Sequence, residues 1–166
     1  MRLIPSPGLI ILPLLLFSPP GAGQGDAARR PPDNHKLVTI KQGIWGNVWL
    51  WEGDFMPGPG GSGGRGTVTP VRREVRICEP TPLKDLQPPG GTNFKNVKAR
   101  LVKKVKSCKN GFYQVSLPPG QYSIFVKEDS TLYANWFDGR GYVMAVTVVK
   151  DSATKFQIDL TAGATY

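Results

Sequence analysis

The sequence predicts an all-β protein that folds as a single Greek-key β-sandwich of about seven strands with long Gly/Pro-rich loops. Three observations lead to this prediction. Short runs of alternating apolar and polar residues recur along the chain, no long stretch has the 3.6-residue apolar spacing of a helix, and 20 glycines and 16 prolines separate the runs. The length of 166 residues fits one domain, and an apolar content of 40% is enough for a core.

The N-terminus has the pattern of a cleaved secretory signal, the alternative being a buried strand. Arg2 supplies a positive charge, residues 9–17 form an apolar run, and small residues occupy positions 21–23. The run is about half as long as the ~20 residues of a membrane-spanning helix, and Pro13 interrupts it, so we expect no transmembrane segment. No cysteine lies near the cleavage region to carry a lipid. We therefore expect an exported protein, periplasmic or extracellular, that is not a lipoprotein.

The chain divides into a signal peptide at 1–23, a polar, Pro-rich and flexible leader at 24–35, and a β-sandwich domain at 36–166. The first predicted strand, residues 43–51, is apolar on both faces. Alternation places the two sets on opposite sides of this strand: Ile44, Val48 and Leu50 on one, and Trp45, Trp49 and Trp51 on the other. A glycine-rich loop at 53–70 then leads to another strand at 71–78.

Turn residues mark the later strands. Asn110-Gly111 predicts a tight turn between a strand at 97–107 and a returning strand at 112–117. Pro118 to Gln121 fits a type II turn with Gly120 at the position that needs positive φ. The alternation around this turn predicts four core residues: Leu117, Tyr122, Ile124 and Val126. A last hairpin is expected from 142–149 and 155–160, turning at 150–153.

The segment GFYQVSLPPGQYSIFVKE at 111–128, with Asn110 before it and GIWGNVWLWEG at 43–53, resembles the carboxypeptidase regulatory-like, or transthyretin-like, β-sandwich domains. It is similar to the single-domain exported members of that family from Bacteroidota. The positions that carry the resemblance are Asn110, Gly111, Leu117, Pro118, Pro119, Gly120 and Tyr122. The resemblance implies a prealbumin-like or immunoglobulin-like sandwich and leaves the function open, because such domains accompany many activities.

The chain, which we expect to be exported, has an even number of cysteines, Cys78 and Cys108, and both lie at ends of predicted strands. We predict a disulfide between them. On the chain-entropy model, closing a loop of about 31 residues stabilises a fold by roughly 3 to 4 kcal/mol. The alternative is a pair of reduced, partly buried thiols.

Positive charge is concentrated in residues 86–127, a stretch without Asp or Glu in a chain of net charge +9. Lys103, Lys104 and Lys106 lie at its centre, and we predict that they form a possible ligand surface for an anionic polysaccharide or lipid. The alternative is that these lysines protect an exposed edge strand from pairing with other chains. Nucleic acid is not an expected partner of an exported protein.

A second possible ligand surface consists of aromatic residues that could stack on sugar rings: Trp45, Trp49, Trp51 and Trp136. Burial in the core of the sandwich is the alternative for the same residues. The chain has one histidine, His35, which leaves catalytic triads and zinc sites without enough groups, so we expect no enzyme, metal or cofactor. The expected function is that of a non-catalytic structural or interaction module of the cell envelope, with an envelope protein or polysaccharide as partner. A glycan-binding or anionic-surface-binding module is the alternative.

Overall fold

The computed structural model describes residue 31 and residues 33–56, 58, 64–87, 91–95 and 97–166. The predicted signal peptide and most of the predicted leader lie outside this part. The described residues are all-β, in two sheets, with two short 3₁₀ helices at His35–Leu37 and Leu83–Asp85. The strands are β1 (Gly43–Asp54), β2 (Thr67–Pro70), β3 (Glu74–Cys78), β4 (Asn93–Phe94), β5 (Leu101–Lys106), β6 (Phe112–Ser116), β7 (Gly120–Glu128), β8 (Thr131–Tyr133), β9 (Ala145–Val148), β10 (Ala153–Lys155) and β11 (Ile158–Thr165).

The first sheet is built around the long strand β1. On one side, β6 pairs antiparallel with the first half of β1 and β2 pairs antiparallel with the second half. On the other side, β10 and β11 pair with β1 in parallel. Parallel pairing requires a long connection, and here it joins the beginning of the domain to its end.

The second sheet is built around β7. Strand β3 pairs with one side of β7, and β9 and β8 pair with successive halves of the other side. Strand β4 extends the sheet beyond β8, and β5 extends it beyond β3. Strand β5 is therefore an edge strand, since β3 is its only partner strand among the described residues.

The core lies between the two sheets, and β7 with the residue that follows β6 contributes the positions that the alternation pattern predicts. Leu117, Tyr122, Ile124 and Val126 are all buried, as expected. Phe125, on the opposite face of β7, is also fully buried and belongs to the same apolar cluster. The burial of both faces explains why strict alternation captures only part of the core.

The Asn110-Gly111 turn forms, but it does not close a hairpin. The amide of Gly111 donates to the carbonyl of Cys108 at 3.0 Å, and Gly111 has a φ of +80°. However, β5 belongs to the second sheet and β6 belongs to the first. The predicted hairpin at 142–160 is wrong for the same reason, because β9 pairs with β7 and β10 pairs with β1. Both turns carry the chain from one sheet to the other.

The prediction of a type II turn at 118–121 is also wrong. Gly120 has a φ of +155°, whereas the third position of a type II turn needs a φ of about +80°. Gly120 instead begins β7. A side chain of β7 stabilises the chain reversal, since the hydroxyl of Tyr122 donates a hydrogen bond to the carbonyl of Pro118 at 2.9 Å.

The structure has eleven strands among its described residues, against about seven predicted, and β2, β4, β8, β9 and β10 have four residues or fewer. Such short strands leave little pattern in a sequence. The predicted flexible leader also differs at its end. Asp33 forms an ion pair with Lys155, and Asn34 donates to the side chain of Asn47, so this part of the leader packs on the domain.

Candidate interaction surface

The predicted basic segment supplies the edge strand of the second sheet. Strand β5 carries Lys103, Lys104 and Lys106, and the side chains of all three are exposed. Lysines on the last strand of a sheet are a common means of preventing uncontrolled pairing with other chains. The structure thus gives these lysines the position that the edge-strand alternative predicted for them.

The three lysines do not share one face. In the register of β3 with β5, Lys104 is opposite Arg76 and Lys106 is opposite Glu74, on the outer face of the sheet. Lys103 is opposite Ile77, whose side chain is fully buried in the core. The amine of Lys103 extends across the side of the sandwich and donates to the carbonyl of Ser116 in β6 at 3.1 Å. Lys103 therefore bridges the two sheets, and Lys104 and Lys106 face solvent on the outer surface.

Cations from three adjacent strands surround a single carboxylate on this outer surface. Cross-strand pairing places Glu74 of β3 between Lys106 of β5 and Lys127 of β7. We define the basic face as the four cations around Glu74, which are Arg76, Lys104, Lys106 and Lys127.

The electrostatics of Glu74 reflect this environment. Its Oε1 accepts a hydrogen bond from Nε of Arg76 at 2.9 Å. This bond holds the pKa of the Glu74 carboxyl below its ordinary value, and the positive charges of Lys104 and Lys127 lower the pKa further. Because the single carboxylate is already paired with Arg76, the three lysines leave the basic face with an excess of positive charge.

The edge strand also has apolar and backbone groups that could take part in binding. Leu101 and Val102, at the beginning of β5, are 47% and 39% exposed. The amide of Ser107 donates to the carbonyl of Arg73 at 2.9 Å, and bonded pairs alternate along an antiparallel ladder. The backbone groups of Val105 therefore face β3, and those of Lys104 and Lys106 face the open edge.

A cleft of about 740 Å³ lies near the beginning of β5. Its charged lining residues are Glu79, Lys84, Asp85, Lys95, Lys98 and Arg100. Arg100 and Glu79, which are neighbours joined by a backbone hydrogen bond, form an ion pair in its lining, and this pair holds the pKa of Glu79 below its ordinary value. This pairing and the mixture of both charge signs make the cleft a weaker candidate for an anion site than the basic face.

The predicted disulfide is absent, and both cysteines are free thiols, as the reduced-thiol alternative held. The register explains why. Cys78 is the last residue of β3 and lies opposite Leu101, at the beginning of β5. Cys108 lies beyond the other end of β5, next to Ser107, whose amide donates to the carbonyl of Arg73. At about 3.3 Å per residue, the two lie on the order of 15 to 20 Å apart along the sheet, far beyond the ~6 Å that a disulfide spans. Cys78 is buried, which raises the pKa of its thiol to about 11, and Cys108 is exposed.

The four tryptophans of the predicted aromatic surface do not come together. Trp49 is buried, with 6% of its surface exposed. Trp45 lies on the outer face of the first sheet, with the amine of Lys155 5.5 Å from its ring centroid. Trp136 lies against Phe156 at a centroid distance of 5.7 Å, on a loop of the second sheet.

Trp51 is part of an aromatic cluster that sequence reasoning missed. Its ring centroid is 5.0 Å from that of Phe55, and Phe55 stacks on Tyr166 at 5.7 Å. Strand pairing causes this grouping, since β1 and β11 run in parallel and end side by side. Trp51 and Phe55 are close in the sequence, but no local pattern could indicate the contact of Phe55 with the distant Tyr166.

Two further properties concern only the described residues. They contain no group of three or more His, Cys, Asp or Glu side chains that could hold a metal ion. None of their helices is long and apolar enough to cross a membrane. Comparison of the chain with protein-family models, with curated proteins and with solved structures finds no match.

Proposed function

We propose that the protein is a non-catalytic, exported interaction module of the cell envelope that binds a negatively charged partner through the basic face. The observation that carries this proposal is the convergence of Arg76, Lys104, Lys106 and Lys127 from three strands around one paired carboxylate. Complementary charge accelerates encounter and selects partners, which suits a surface without a deep pocket.

The export part of the proposal rests on the signal-like N-terminus, and the fold part rests on the resemblance to carboxypeptidase regulatory-like domains. Two features of the resemblance segment support it. Gly111 has positive φ, and Tyr122 is buried beside the turn that its hydroxyl stabilises. Because a fold of this kind accompanies many activities, the proposed binding role rests on the basic face and not on the resemblance.

Binding to anionic lipid or polysaccharide is the second candidate, and the exposure of Lys104 and Lys106 on the outer surface favours it. A glycan surface of stacked tryptophans has less support, since Trp49 is buried and Trp45 and Trp136 lie on different sheets. Both candidate functions that we retain, binding of a negatively charged partner and binding of anionic lipid or polysaccharide, therefore use the basic face.

The experiment uses poly-L-glutamate as an anionic probe. The triple variant Lys104→Glu, Lys106→Glu, Lys127→Glu is compared with Lys36→Glu, Lys41→Glu, Lys150→Glu, a matched control that changes the net charge equally at exposed positions elsewhere. Three exposed contacts of roughly 0.5 kcal/mol each predict a loss of about tenfold in affinity for the first variant.

The control variant should lose much less affinity, and binding of the wild type should weaken as salt rises, because exposed charges are screened beyond about 8 to 10 Å. Equal losses in the two variants would show that net charge alone drives binding, and the proposed site would then be wrong. Circular dichroism and thermal unfolding would establish that both variants remain folded.

A further inference from the structure

The open edge of β5 has three properties that together describe a partner. Among the described residues, no strand pairs with the backbone of Lys104 and Lys106 at this edge. The edge also has exposed apolar side chains at Leu101 and Val102, and lysines that point to both faces of the sheet. An edge strand of this kind can accept an additional strand, whose backbone supplies affinity and whose alternate side chains supply specificity.

We propose that β5 binds an extended acidic segment of another protein by adding it as a further strand of the second sheet. This inference rests on the proposed function, since it specifies how the negatively charged partner is held. The incoming strand should have carboxylates opposite Lys103, Lys104 and Lys106, because directly opposed charges of opposite sign stabilise a pair of strands. Positions 101 and 102 call for apolar residues.

A second copy of this chain is a poor occupant of the same edge. Two β5 strands paired with each other would bring six lysines of like sign together, three from each copy. Like charges directly opposite one another destabilise a sheet. The charge pattern therefore favours an acidic partner over self-pairing.

The probe is the peptide acetyl-Glu-Val-Glu-Glu-Val-Leu-amide, whose order matches β5 in antiparallel pairing. The test compares Lys104→Pro with Lys104→Gln. Both variants lose the same positive charge, but only proline removes the amide that faces the open edge, and proline is tolerated at such edge positions. The bonds between β5 and β3 do not use the amide of Lys104, so the sheet should be retained.

We expect Lys104→Gln to weaken binding a few-fold and Lys104→Pro to weaken it by at least about tenfold more, as expected for a lost backbone contact and a blocked edge. In the wild type, hydrogen exchange at the amides of Lys104 and Lys106 should slow when the peptide binds. This second measurement tests the proposal even if the proline variant fails to fold.

Equal affinity of the two variants together with unchanged hydrogen exchange would overturn strand addition and leave the proposed electrostatic function intact. Vesicles of phosphatidylcholine with phosphatidylglycerol provide the lipid arm. If these vesicles displaced the peptide and bound both variants equally, the edge would be an anionic-surface site instead. A dimer of the free protein that disappears in Lys104→Pro would overturn the choice of an acidic partner.

Discussion

Asn34 donates a hydrogen bond of 2.6 Å from its Nδ2 to the Oδ1 of Asn47, a β1 side chain with no exposed surface. Asn47 lies on the outer face of the first sheet, and Asn34 from the segment before β1 supplies a partner for its buried side chain. The side-chain amide of Gln157 donates to the backbone carbonyl of Asn47 at 3.0 Å. The N-terminal segment is thus part of the folded domain from about residue 33.

The first prediction concerns this contact. Asn34→Ala should lower the free energy of unfolding by about 1 to 3 kcal/mol, because it leaves a buried amide oxygen without its donor. Lys36→Ala, in the same segment but exposed, should change it by less than about 0.5 kcal/mol. Urea unfolding of both variants measures the difference. Equal stability of the two would show that the segment before β1 does not contribute to the fold.

The second prediction concerns the thiols. Without reductant, the native protein should react with a thiol reagent at pH 8 at Cys108 only, since Cys78 is buried and its pKa is raised to about 11. After denaturation, two thiols should titrate. Absence of reactive thiols in the denatured, non-reduced protein would restore the disulfide.

The raised pKa of Cys78 also predicts the direction in which the stability of the fold changes with pH. Burial raises the pKa of the Cys78 thiol from its ordinary value of 9.0 to about 11, so the unfolded chain releases its proton first as the pH rises. The folded state should therefore lose stability across this window. Cys78→Ala removes this group and should flatten that part of the pH dependence, which unfolding at a series of pH values would measure.

The third prediction tests the core. Ile124→Ala should lower the free energy of unfolding by about 2 to 5 kcal/mol, because a fully buried side chain would be replaced by a cavity. Val149→Ala is the matched control, since Val149 is 58% exposed and should contribute less than about 0.5 kcal/mol. Unchanged denaturant midpoints for Ile124→Ala would contradict the assignment of β7 to the core.

The fourth prediction tests a close approach of two backbones. A Cβ atom added at Gly46 would lie 1.9 Å from the carbonyl oxygen of Phe156, so the backbone must shift. Gly46→Ala should destabilise the fold by about 3 kcal/mol, at the upper end of overpacking effects. At Gly163 the nearest atom would be 3.5 Å away, and Gly163→Ala should be nearly neutral. Similar thermal midpoints for the two variants would mean that β1 and Phe156 are less tightly packed.

The sequence predicts the fold best where local pattern and burial agree. The alternation at Leu117, Tyr122, Ile124 and Val126 identifies core residues correctly, but it misses Phe125, because β7 lies at the centre of its sheet and its other face is buried as well. The same rule would have placed Arg76 on the outer face, since it lies between Val75 and Ile77. The sequence therefore places Arg76 on the outer face, and only the pairing of β3 with β5 is needed to assign it to the basic face.

The pairing itself could not be predicted. Asn110-Gly111 specifies that the chain turns, but the same turn can close a hairpin or carry the chain to the facing sheet. Which of these occurs depends on the strand with which β6 pairs. That strand is β1, which is far away in the sequence. The disulfide prediction was wrong for the same reason, because the distance between Cys78 and Cys108 depends on the register of β3 and β5.

The parallel pairing of β1 with β11 has a consequence for how the chain acquires its structure. Val48 pairs with Ile158 and Leu50 pairs with Leu160, so the central strand of the first sheet acquires this neighbour only when the last part of the chain is present. Closing a loop of this length costs entropy before any contact compensates it, and contacts of high sequence separation slow folding. We expect a chain released residue by residue to remain incompletely folded until β11 emerges, and then to complete the first sheet in one late, cooperative step.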